Sequence, residues 1–182
     1  MILSKENQEL FYKLWLPLLD FVNEKYRINS SFKIMSGAKS LNPAIVKSLA
    51  DVLWEDVSLI EEYLSVHSGD FPDHHREIIQ GWKRRIRGQF LLERHLSKGS
   101  IFISLEDNEV YQVSGIISSW EEMFKHRPLP AVLEATLMPF KEVIISDGLV
   151  VPYNISIGRN MKQDAKDIYM DARKNSLVHR KL

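Results

Sequence analysis

The chain has 182 residues, of which 45% are hydrophobic and 26% charged, enough to bury a core in one large domain or two small ones and too apolar for wholesale disorder. It has no cysteine, which removes disulfides, thiolate metal sites and a cysteine nucleophile and fits a reducing compartment. Lys and Arg number 24 and Asp and Glu 24, so the formal charge is zero and a globally basic nucleic-acid binder is disfavoured, though a local patch is not.

Residues 1–13 lack the basic region and unbroken apolar stretch of a signal peptide. No apolar run reaches the roughly 18 residues of a membrane span. The expected location is the cytoplasm, with no membrane partner.

From Ser4 to about Tyr26, Leu10, Phe11, Leu14, Trp15, Leu18 and Val22 recur at helical spacing. Pro17 removes a backbone donor, which predicts a kink or two shorter helices. Asn29 to Asn42 reads as a loop rich in Ser, Gly and Lys. Asn42 and Pro43 then form a helix start, as N-cap and first helical residue. Ile45, Leu49, Val52 and Leu53 supply its buried face, with a break expected near Asp56 before Val57, Ile60 and Leu64. A further helix opens at Asp73 and buries Ile78, Ile79, Trp82 and Ile86.

The period then shortens to two. Gln89–Leu96, Ile101–Leu105 and Val110–Val113 read as three strands of a meander, with turns at Ser97-Lys-Gly99 and Asp107-Asn108. Ser119-Trp-Glu-Glu122 matches a capping box and opens a short helix. Strands resume over Ala131–Met138, Val143–Ile145 and Leu149–Ile157. Asp147-Gly148 between the last two predicts a hairpin. A last helix presents Met161, Ala165, Ile168, Tyr169 and Ala172 on one face. The fold class is therefore α+β, a helical half over 1–87 joined to a half over 88–182. That second half is expected to form a small antiparallel sheet or an SH3-like open barrel with an inserted and a terminal helix. No Gly/Ser/Pro-rich linker marks the junction near Arg87-Gly88, so the halves are expected to share one body.

Five cations gather at that junction: Lys83, Arg84, Arg85, Arg87 and, on the next strand, Arg94. They form a candidate anion patch for phosphates. The simpler reading is a solvated helix end, where cations complement the macrodipole. Seven Lys and Arg against three Asp make residues 159–182 basic, and eight acids against three bases make 101–147 acidic; pairing within one molecule accounts for both. Asp70, Asp73, His74, His75 and Glu77 crowd a helix entrance. Adjacent histidines point about 100° apart on a helix, and HExxH and HxxxH spacings are absent, so no metal is expected. No GxSxG, GxxxxGK[ST] or GxGxxG is present, so no nucleotide cofactor is expected either.

The run from Leu137 to Gly158 holds Pro139-Phe-Lys141, Ile144-Ile-Ser-Asp-Gly-Leu149 and Pro152-Tyr-Asn-Ile155. It resembles a C-terminal β-hairpin that recurs in uncharacterised bacterial proteins. The resemblance covers the last third of the chain and implies a bacterial source and a module of unknown function. It carries no catalytic residue. Tyr153 and Asn154 are its candidates for lining a groove; the alternative is an Asn that satisfies a bulge and a Tyr with its hydroxyl at the rim.

Three functions compete. A non-catalytic interaction module leads, with a protein, a peptide or a second copy as partner, because catalytic motifs are missing and a sheet edge invites pairing. The alternatives are a nucleic-acid-associated regulator using the basic run, and an enzyme using Asp73, His74 or His75. Whether the chain is an enzyme is left open.

Overall fold

A computed structural model describes residues 1–29 and 42–182. The chain is α+β, and its contacts divide it into two compact units, Lys5–Lys83 and Met1–Ser4 with Arg84–Leu182. Of the loop expected from Asn29 to Asn42, only those two end residues are described.

The first unit is helical: α1 (Lys5–Tyr26), α2 (Pro43–Glu55), α3 (Ser58–Val66) and α4 (Asp73–Gly81). α1 runs on through Pro17 as one helix of 22 residues, which excludes the two shorter helices that were one of the two expectations. The carbonyl that the proline leaves without its helical donor belongs to Lys13, and both residues are exposed to water. Leu14, Trp15, Leu18 and Leu19 on the opposite side are buried and hold the helix together. The start of α2 follows the sequence, with Asn42 Oδ1 accepting from the Ala44 amide at 3.0 Å. The core is aromatic. Trp15 stacks on Trp54 at 5.3 Å and meets Trp82 edge-on at 5.6 Å.

The second unit carries β1 (Ile86–Leu96), β2 (Gly99–Ser104), β3 (Val110–Ser114), α5 (Trp120–Met123), β4 (Ala131–Phe140), β5 (Val143–Ser146), β6 (Val151–Pro152), α6 (Arg159–Lys174) and β7 (Val178–His179). β1 is long enough to serve two neighbours. Ile86–Leu92 pair with β4, and Phe90–Leu96 pair with β2 across a bulge between Leu92 and Arg94. The strands thus close a ring, β1-β2-β3-β5-β4 and back to β1.

The expected sheet was antiparallel, or an open barrel of SH3 type. The observed sheet is mixed and the ring closed. β3 and β5 run parallel at Val113 and Ile144. The cause is the connection through α5: β4 lands beside β1 rather than β3, so β5, returning along β4, reaches β3 in β3's own direction. A five-stranded ring in this order, with a helix between β3 and β4, is an OB-type barrel.

A second difference concerns Asp147-Gly148. The expected hairpin does not form, because β6 pairs with β4 and not with β5. Only Gly148 has positive φ (+83°), whereas a tight hairpin of this type needs it at both residues. The Asp147 carboxylate instead accepts from the Leu149 amide at 3.0 Å. Asp147–Val150 bulge out opposite Ala135 and Thr136, and β6 continues along β4 beyond β5.

Side-chain alternation separates two apolar layers. Phe90, Leu92, Phe102, Tyr111, Val113, Leu133, Ala135 and Leu137 fill the barrel, closed at one end by Trp120 and Phe124 of the α5 region. Leu91, Ile101, Ile103, Val110 and Val132 point outwards and are covered by Ala165, Tyr169 and Ala172 of α6. β2 is therefore buried on both faces, which explains its continuous apolar run. Met161, expected on the buried face of α6, is 48% exposed; it lies in the first turn, one turn short of the first covered position, Ala165.

Residues 1–4 belong to this unit. Ile2 bridges Gly115, the Leu3 amide donates to the Gly115 carbonyl at 3.1 Å, and Leu3 is buried.

Candidate functional site

A concavity on the β unit has a volume of about 540 Å³. One wall is the segment between α5 and β4, with His126, Arg127, Pro128 and Pro130. The other is the irregular stretch Tyr153–Ile157 that follows β6, and Lys162 of α6 adds a third side. Tyr153 is placed by sheet pairing that outlasts β6: its amide donates to the Val132 carbonyl at 2.9 Å. Its ring joins the apolar layer beneath α6. Its hydroxyl accepts from Gln89 Nε2 at 3.1 Å and donates to Glu134 Oε2 at 3.4 Å, and Arg87 stands 4.0 Å from the other Glu134 oxygen. This network fixes Tyr153, leaving the exposed Asn154, Ile155 and Ser156 to face the cavity.

The electrostatics are one-sided. His126, Arg127 and Lys162 line the cavity, and no Asp or Glu does. Arg127 Nη1 donates to the Tyr153 carbonyl at 3.5 Å, which ties the two walls together. Pro128, Pro130, Ala131, Ile155 and Ile157 supply apolar surface beside the polar Asn154 and Ser156. A cleft of this size with apolar walls and a few oriented polar groups suits a ligand of several heavy atoms or a short peptide segment. None of the lining residues forms a nucleophile–base pair among the described hydrogen bonds.

Tyr153 and Asn154, singled out in the sequence, are thus brought together with each other and with this cavity. The five junction cations go elsewhere. Lys83 belongs to the helical unit and pairs with Glu61. Arg94 pairs with Glu93 and lies over the Tyr169 ring. Arg87 approaches Glu134. Burial, and then the neighbouring Arg87, hold the Arg85 guanidinium below its ordinary pKa. Arg84 is exposed. Among the acids and histidines at the α4 entrance, His67 Nδ1 sits 2.7 Å from Asp70 Oδ2 and the rings of His74 and His75 are 4.3 Å apart. Among the described residues no three His, Asp or Glu side chains gather as a metal site would require. No described helix is long and apolar enough to cross a membrane.

Sequence reasoning missed His126, Arg127 and Lys162. The signal for Arg127 lay in Arg127-Pro-Leu-Pro130, where a cation precedes two prolines. No protein-family model, no curated protein and no solved structure matches this chain.

Proposed function

We propose that the protein is a non-catalytic interaction module of a bacterial cytoplasm, and that the cavity between residues 126–131 and 153–157 takes an extended acidic peptide segment of a partner protein. The observation that carries the reading is the charge of the cavity: Arg127 and Lys162, with His126 beside them, and no carboxylate lining it. Charge complementarity of this kind steers an acidic partner and selects against a basic one. The stretch Tyr153–Ile157, outside regular secondary structure and following an edge strand of only two residues, offers a main-chain surface on which a peptide strand adds.

Two features weigh against a nucleic-acid regulator built on the junction cations. Lys83 and Arg94 are each ion-paired to a carboxylate. The outer face of β2 and β3, by which OB-type barrels take oligonucleotides, is covered by α6.

The test is a titration of the ¹⁵N-labelled chain with two synthetic decapeptides of equal apolar content, one rich in Asp and Glu, the other in Lys. The acidic peptide is expected to shift amides at 126–131 and 153–157 saturably, and Arg127→Glu with Lys162→Glu to abolish the response. Equal shifts with the basic peptide, or none with the acidic one, would overturn the reading.

A further inference from the structure

We infer that a second, smaller cavity on the β unit is a binding site for a phosphate group. It has a volume of about 240 Å³ and lies outside the barrel, where the Ser97-Lys98 turn between β1 and β2 meets the end of α6. Three cations from separate segments converge on it: Lys98 from the turn, Arg173 from the last turn of α6, and Arg180 beyond β7. It shares no residue with the larger cavity and does not depend on the peptide reading.

No Asp or Glu lines this cavity. Among the described residues, none of the three cations has an ion-pair partner. Arg94 nearby shows the contrast, since its charge is met by Glu93 and its guanidinium lies on the Tyr169 ring. Three like charges around one small space repel one another, and an anion among them relieves that repulsion. A monocarboxylate would leave two charges unmet, whereas a phosphate monoester or pyrophosphate carries two or more negative charges. The two guanidinium forks match phosphate oxygens in pairs, and Lys98 acts as a point charge. The turn that carries Lys98 is held in place, because Gln112 Nε2 donates to the Lys98 carbonyl at 2.6 Å.

The position restricts the ligand further. Ile101 and Tyr169 form part of the wall, but Tyr169 is only 3% exposed and offers no free face on which a base stacks. Strand-length nucleic acid needs a series of such faces. The site therefore suits a single phosphate-bearing group, whether free pyrophosphate or the phosphate of a mononucleotide.

The experiment is an amide chemical-shift titration of the full chain with sodium phosphate, pyrophosphate, AMP and acetate at constant ionic strength. Saturable shifts are expected at Lys98, Gln112, Arg173 and Arg180 with the phosphate compounds and not with acetate. Tighter binding of AMP than of pyrophosphate identifies a nucleotide as the source, and the reverse order identifies an inorganic one. Arg173→Gln should weaken the interaction roughly tenfold, the usual loss for one charge-assisted contact. Arg127→Gln, in the other cavity, should leave it unchanged, and the remaining spectrum reports whether each variant is folded. Acetate matching the phosphate compounds, no saturable shift with any of them, or an unaltered curve in the folded Arg173→Gln, Arg180→Gln double variant overturns the proposal.

Discussion

The guanidinium carbon of Arg94 sits 4.4 Å from the centroid of the Tyr169 ring. One residue lies just past the bulge of β1, the other at the centre of the α6 face that covers the barrel. The contact joins a cation–π interaction to the burial of an aromatic ring, so the two partners should differ in what their removal costs.

Tyr169→Ala should destabilise the β unit by about 3–5 kcal/mol, the range for emptying a buried aromatic position. Arg94→Ala should cost less, about 1–3 kcal/mol, chiefly because it leaves the Glu93 carboxylate, only 8% exposed, without its cation. Urea denaturation of both variants separates the two. A Tyr169 variant as stable as the parent would show that α6 contributes nothing to the barrel.

Gly115 is required by close approach. A Cβ built there would lie 2.0 Å from the Ser118 carbonyl oxygen, a backbone atom that cannot swing aside. Gly115→Ala should therefore cost about 1–3 kcal/mol through forced backbone movement. The expected lowering of the thermal midpoint should come with faster amide exchange at Leu3, whose N–H is bonded to Gly115.

His95 predicts a pH dependence. Burial holds its pKa below the ordinary imidazole value of 6.5, with the chain's amino terminus acting in the same direction and Glu121 opposing. Its ring nitrogen lies 2.8 Å from Ser100 Oγ. Because the unfolded chain binds the proton more readily than the folded one, this stabilising contribution is complete above pH 6.5 and is lost as pH falls through the lower folded value. Denaturation midpoints between pH 7 and pH 5 should fall more steeply for the parent than for His95→Gln. Equal slopes would remove His95 as the cause.

In the helical unit, Trp15 touches both Trp54 and Trp82. Trp15→Ala should cost about 3–5 kcal/mol and remove the near-ultraviolet dichroism of the coupled indoles. Trp54→Phe keeps an aromatic face for Trp15 and should retain most of the stability.

The features legible in the sequence are those set by neighbours in the chain. Asn42 and Pro43 start α2, Ser119 caps α5, accepting from the Glu122 amide at 3.1 Å, and the β1–β3 meander pairs as its turns require. What was hidden depends on distance along the chain. Nothing local to Val113 says that it will lie beside Ile144 in parallel, and Asp147-Gly148 carries the signature of a reversal that its backbone does not make. Tyr153 and Asn154 were visible as polar residues in an apolar run. The cations that give their cavity its sign come from residues 126–127 and 162, and only the folded barrel brings these segments together.

The strap formed by residues 1–4 has a consequence for synthesis. The helical unit draws its contacts from Lys5–Lys83 and is complete once α4 and Trp82 have emerged. Ile2 and Leu3 precede the helical unit in the chain, and Gly115, which they bridge, follows it. Folding in order of emergence therefore completes the helical unit before this bridge can close. A tag fused ahead of Met1 would burden the barrel, encoded downstream, rather than the helices that follow the tag in the chain.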